Sequence, residues 1–398
     1  MSRYHSYINT SVKLIESFKG DQPFAIFIKK NFSKGKKYGS KDRKHISALC
    51  YNYFRLGLAM RNSSAKQKIM MATFLCEKEP SDFWDKINPE WNEKINWPIN
   101  EKLLLVKDEF LITEIFPHNQ ALSASIDIET FCLSMLEQPS LFLRIRPQCR
   151  ITTIKKLEKS KLQYRLINDN SIQLLPSTNV EDFFITDKEV VVQDYSSQQV
   201  LNYLQLNEVA LFGDEPQQPA LSAWDCCAAS GGKSILLNDI IKRAIELTVS
   251  DIRLGIVMNL HLRFKKANIK QYKYFIADIG DTSLTPPTTS YQLIICDVPC
   301  TGSGTWGRTP EQLYFFNSTV IKEFSDKQKR IVTNVMAHLK DGGIFVYITC
   351  SVFKEENEAI AGFITTTFNA ELLHQEVLKG YDKKADTMFV AILKKTIS

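Results

Sequence analysis

No run of about 18 or more apolar residues interrupts the 398-residue chain, so a membrane-spanning helix is not expected. The opening "MSRYHSYINTSVKLIESFKG" lacks the continuous apolar stretch of a secretory leader, and secretion is not expected either. There is no Cys-x-x-Cys pair and no cluster of Cys with His, so no metal site is expected. Nine cysteines, an odd number without regular spacing, argue against a disulfide framework and for a reducing cytoplasm. What remains is a globular composition, 44% hydrophobic and 24% charged, over a length that suggests two or three domains.

Charge is spread unevenly. Residues 1–70 hold 15 Lys and Arg against 3 Asp and Glu, a net of +12 in a chain whose total is only +6. A solvated basic face would explain a single run of charge. This density attracts polyanions, and nucleic acid is the leading partner.

Helical spacing of Ile46, Leu49, Tyr53 and Leu56 in "KDRKHISALCYNYFRLGLAM" predicts a helix. Its Tyr51 and Phe54 could stack on exposed bases, although core packing is the more ordinary job for such rings. The pattern turns strand-like at "EQPSLFLRIRP", and "KLEKSKLQYRLINDNSIQLL" adds a short basic helix and further strands. From about residue 190 strand, turn and helix alternate. Strands are expected at 220–224, 246–250, 273–277, 291–296, 343–349 and 388–393, with helices at 233–244, 254–268, 318–340 and 355–368. The reading is a helical domain over 1–130, a small α+β module over 131–190 and an α/β, doubly wound Rossmann-like sheet over 191–398.

The first strand of that sheet runs into "WDCCAASGGKS". Lys233 and Ser234 fit the end of a GxxxxGK[ST] phosphate loop, but Cys227 stands at its first glycine, and the turn does not fit GxGxxG either. The small residues Ala228, Ala229, Ser230, Gly231 and Gly232 still let the backbone approach a ligand and leave helix N–H groups free. Nineteen residues beyond Gly232, Asp251 ends the second strand, a position suited to ribose hydroxyls. Asp225, Asp278 and Asp297 end other strands, so four carboxylates are expected along one edge. Such an edge, without a diphosphate cradle, fits S-adenosylmethionine better than NAD.

Cys300 follows in "IICDVPCTGSGTWGRTPE" and Cys350 in "GGIFVYITCS", each just past a strand end. Burial as packing is the commonest fate of a cysteine. A thiol beside a methyl donor also suits carbon methylation of a pyrimidine. C5 of cytosine is too weak a nucleophile until a thiolate adds to C6, with a carboxylic acid assisting at N3. C5 then takes the methyl group, loses its proton, and the thiol is eliminated. Which cysteine attacks stays open on these residues alone.

With these motifs assembled, 191–398 resembles the Sun/Fmu (RsmB-like) family of S-adenosylmethionine-dependent RNA (cytosine-5)-methyltransferases. The resemblance rests on "QDYSSQ", "DCCAASGGK" (where the family usually has Pro and this chain has Ser230), "SDIRLGIVMNLHLRF", "ADIGD", "DVPCTGSGTWGRTPE" and "YITCSVFKEENE". Many members carry paired arginines where this chain has Gly307 and Arg308. The resemblance implies Cys350 as nucleophile, Cys300 as the residue assisting release, and Asp297 as the contact to N3. It also implies a cofactor held by Cys227, Ala228, Ala229, Ser230, Gly231, Gly232 and Lys233 at its methionine end, with Asp251 at the ribose, Asp278 near the adenine, and Arg253 and Asp297 also among its contacts. "KDRKHISALCYNYFRLG" resembles a NusB-like RNA-binding helix, and "PSLFLRIRP" the start of a small RNA-binding module. The expected partner is RNA, ribosomal for choice, with no membrane and a monomeric chain. The competing readings are a catalytically idle ribosome-assembly factor and an amino-methyltransferase; Cys300 standing at the aromatic position of the latter's base clamp disfavours it.

Overall fold

The computed structural model describes residues 3–34, 37–213, 219–281, 286 and 290–397. Residues 1, 2, 35 and 36 of the basic stretch lie outside them. Contacts divide the chain into two compact units: 1–120 with 127–138 and 305–317, and 121–126 with 139–304 and 318–398. This differs from boundaries drawn after 130 and 190, because 305–317 leaves the sheet-bearing part and joins the N-terminal helices.

The reason is aromatic. In the first unit the helix Ser40–Arg55 buries Phe54 completely, with its ring against Phe18 and Phe24. Tyr51 meets Phe24 edge-on. These rings therefore pack a core. The segment 305–317 closes it: Phe315 lies 5.3 Å from Phe18, and the hydroxyls of Tyr314 and Tyr53 are 3.1 Å apart. Glu311 accepts from the Phe24 N–H at 3.1 Å. The helix stops before 60 because Gly57 takes a φ of 47°, where a Cβ would collide with the Ile115 carbonyl. Lys29, Lys30, Lys34, Lys37, Lys41 and Lys44 are all exposed.

In the second unit, β1 (Leu141–Ile145), β2 (Tyr164–Asn168), β3 (Ser171–Leu174) and β4 (Val190–Val192) form an antiparallel sheet of order β2-β3-β1-β4. Seven further strands make the main sheet: β5 (Leu221–Asp225), β6 (Ile245–Asp251), β7 (Tyr272–Ile276), β8 (Tyr291–Asp297), β9 (Leu339–Thr349), β10 (Ala370–Leu378) and β11 (Met388–Lys395). Their order is β10-β11-β9-β8-β5-β6-β7. The five strands from β9 to β7 run parallel, and β11 is antiparallel to both its neighbours. The expected doubly wound sheet is present, with β10 as an unexpected edge strand. β5 and most of β8 are buried, as continuous apolar runs covered on both faces must be. Strand order reverses between β5 and β8, and ligands bind such sheets in the crevice beyond the carboxyl ends at that point. Among the described residues no helix is long and apolar enough to cross a membrane.

Candidate active site

The turn leaving β5 is built by backbone geometry. Ala229 and Gly231 take φ of 46° and 81°, and a Cβ at Gly231 would run into the Phe264 ring. The Gly231 N–H donates to Ala228 O at 2.8 Å, starting the helix Gly232–Ile240. Arg263 donates to Ser230 at both Oγ (2.9 Å) and the carbonyl (3.0 Å), and pairs with Asp187 at 2.7 Å. Side-chain bonds thus fasten a turn that a proline would stiffen covalently.

Asp225 departs from expectation. It is buried beneath the turn and accepts from Ser234 Oγ at 2.6 Å. Burial pushes its carboxyl up to about 7 against the pull of that hydroxyl, and Oδ1 has no hydrogen-bond partner. Three carboxylates, not four, reach the open edge.

Those three line a cavity of about 480 Å³ together with Cys227, Ala229, Arg253, Cys300 and Cys350. Asp251 accepts from Ala229 N–H (3.1 Å), from Arg253 N–H and Nε (both 2.9 Å), and from Arg253 Nη2 (3.1 Å). Burial opposes ionisation, but these donors outweigh it and hold the carboxyl below its ordinary value. Asp278 is exposed and accepts from Gly280 N–H at 2.9 Å. Asp297 pairs with Lys233 at 2.5 Å. Burial works against the Lys233 charge, yet the adjacent carboxylate wins and raises its pKa.

Parallel pairing of Asp297 with Ile348 brings the ends of β8 and β9 level, and the loops beyond carry the two thiols. Cys300 Sγ and Cys350 Sγ stand 3.3 Å apart, both as free cysteines. Its hydrogen bond with Cys350 and its burial raise the Cys300 pKa well above the ordinary value.

The structure therefore brings Cys227, Ala229, Asp251, Arg253, Asp278, Asp297, Cys300 and Cys350 to one cavity, with Lys233 touching it through Asp297. Ala228, Ser230, Gly231 and Gly232 shape the turn without lining the space. Sequence reasoning missed Ile252, Ile279, Ile331 and Lys327 on the wall. Only Ile331 carried a signal, as part of the apolar face of the helix Thr319–Met336. A larger groove of about 1230 Å³ runs past Arg146 and Arg263, but Asp239 and Asp187 already engage these cations. Among the described residues no group of three or more His, Cys, Asp or Glu could hold a metal ion.

Residues 215–394 match the family model described as 16S rRNA methyltransferase RsmB/F. The ribosomal RNA small subunit methyltransferase B of an Enterobacter species is 34% identical over 216 residues, 52% of this chain and 44% of that relative. The protein of the same name from Klebsiella pneumoniae is 32% identical over 190 residues, covering 46% and 40%. This chain spans less than half the length of these two relatives. Among solved structures, PH0851 superposes with a TM-score of 0.67 at 18% identity over 97% of both chains. NSun6 from Pyrococcus horikoshii, solved with SFG, gives 0.53 at 14% identity, covering 65% of this chain and 91% of its own. These two likenesses speak for the fold alone. The sequence match to the RsmB/F methyltransferase family model is thus spread over the seven-stranded sheet, from residue 215 to 394.

Proposed function

We propose that the chain methylates C5 of a cytosine in RNA, ribosomal RNA by the names of its relatives, using S-adenosylmethionine. The observation that carries this reading is the pair of thiols 3.3 Å apart in the cavity that also holds Asp251 and the Lys233–Asp297 pair. The residues present suit the cofactor. Asp251 offers an acidic partner for vicinal hydroxyls, Ile252 and Ile279 offer apolar walls for a base, and the 227–233 turn offers close backbone approach without a phosphate cradle. Bound there, S-adenosylmethionine would supply an electrophilic methyl group.

This chain's residues would do the rest. Asp297 meets N3 of the cytosine, with Lys233 as the source of the proton held between them. Protonation at N3 drains electrons from C6, and the Cys350 sulfur adds there. The electron pair that this pushes onto C5 takes the methyl group. Water then takes the C5 proton, the C5–H electron pair re-forms the C5–C6 double bond, the C6–S bond to Cys350 breaks, and the adjacent Cys300 thiol protonates the departing sulfur. Cys300 suits that later role because it stands 3.3 Å from the Cys350 sulfur.

The test is methyl transfer from isotope-labelled S-adenosylmethionine to ribosomal RNA, followed by nuclease digestion and mass analysis of nucleosides. 5-Methylcytidine is expected. A folded protein that binds both substrates and yields another methylated nucleoside, or none, refutes the reading.

A further inference from the structure

We propose that Glu356 is a positioning residue that ties the two cysteine-bearing segments together and sets the spacing of their sulfur atoms. The inference rests on the cytosine-5 reading. Glu356 is fully buried, and its carboxylate hydrogen-bonds Thr301, Gln328 and Ser351 rather than either thiol. It holds the residue after each one. The Thr301 N–H donates to Oε1 at 2.9 Å and Thr301 Oγ1 to Oε2 at 2.6 Å, fixing the segment just beyond Cys300. Ser351 Oγ, one residue beyond Cys350, donates to Oε2 as well. Gln328, from the helix Thr319–Met336, donates to Oε1 at 3.0 Å and to the Pro299 carbonyl at 3.1 Å, so Cys300 is gripped on both sides.

Four donors fill the four lone-pair positions of one carboxylate. All four are neutral. Burying an ion among neutral donors is a costly way to join two loops, and an amide would join them at less desolvation. A carboxylate has a property an amide lacks, since it accepts from both loops at once with both oxygens. Burial raises the pKa of Glu356, and its charged form adds to the hydrogen bond with Cys350 and the burial that raise the Cys300 pKa. The neighbouring Asn357 completes the clamp. It accepts from Thr349 Oγ1 at 2.6 Å and donates to the Ser351 carbonyl at 2.9 Å, holding Cys350 from either flank.

The experiment measures thiol proximity on the full chain, without RNA or cofactor. In a glutathione redox buffer one glutathione disulfide oxidises two protein thiols and leaves two glutathione thiols. Peptide mapping then reads the fraction joined as Cys300–Cys350, which gives their effective concentration. Glu356→Gln keeps size and is expected to lower that value at least tenfold. Thr301→Val, which removes one donor and keeps the carboxylate, is expected to lower it less, in the same direction, and decides the matter if Glu356→Gln does not fold. In turnover, Glu356→Gln should lose kcat by tenfold or more while KM for RNA stays within twofold. A drop in effective concentration of less than threefold in the folded variant overturns the proposal. If the wild-type protein makes no 5-methylcytidine, the cytosine reading fails, and the thiol measurement still decides the role of Glu356.

Discussion

Replacing Asp251 with Ala should cripple cofactor binding by an amount that the structure allows to be worked out. Two ribose hydroxyls donating to this carboxylate would form two charge-assisted hydrogen bonds, each worth about 1.5–3 kcal/mol. They would compete with bonds already made, because Ala229 and Arg253 supply four donors to the two oxygens. The Arg253 side chain is 60% exposed. Giving up its ion pair therefore costs only about 1 kcal/mol or less. The balance is a loss of roughly 2–5 kcal/mol, or on the order of 30-fold to several thousand-fold in affinity. Calorimetric titration with S-adenosylhomocysteine reads this directly. Asp251→Asn keeps an acceptor oxygen and should fall between the two. RNA affinity should change little in either variant. Binding within about threefold of wild type by a folded Asp251→Ala protein would refute the reasoning.

Cys350→Ala should abolish methylation and form no covalent RNA complex, whereas Cys300→Ala should transfer the methyl group and then stall, leaving RNA attached through denaturing electrophoresis; trapping by Cys350→Ala instead would reverse the two roles. Changing exposed Lys29, Lys30, Lys34, Lys37, Lys41 and Lys44 to Gln should flatten the salt dependence of RNA binding by about 0.7–0.9 per lost phosphate contact, and an unchanged slope would assign the basic surface to something else. Buried Lys68, which donates to the Gly57 carbonyl, is lowered by burial from 10.5 to about 7. The unfolded chain then binds the extra proton between those values, so this lysine costs most stability below pH 7 and its penalty fades as pH rises toward 10. In urea unfolding, Lys68→Met should remove that rise; an equal pH dependence in both proteins would show that Lys68 stays charged when folded.

The central sheet was legible because buried parallel strands are apolar throughout and are punctuated by turns. β10 was not: in "AELLHQEVL" only Ala370 is buried, and an edge strand with polar residues on its faces lacks the pattern that marks a strand. The helix expected over 318–340 ends at Met336 because β9 begins at Leu339, five residues before the apolar run that starts at Ile344. In the site, the turn and the two cysteines could be read because each is a local motif. Glu356 could be quoted as part of "FKEENE" but not understood, since its partners Thr301 and Gln328 lie 55 and 28 residues away in sequence. The inward Asp225 shows the same limit from the other side, as its position at a strand end matched the other carboxylates while its burial did not.

The membership of 305–317 in the N-terminal unit bears on how the chain is made. As synthesis proceeds from the first helix, Phe18, Phe54 and Tyr53 emerge early, but Tyr314 and Phe315, the rings that close over them, come much later. Until then the nascent unit carries an open aromatic face, the kind of surface on which chaperones act and aggregates start. Any fragment ending before residue 305 would inherit that defect permanently, so an isolated N-terminal piece is a poor reagent for RNA-binding work. Grafting 305–317 through a linker after residue 138 would let the unit finish its own interior.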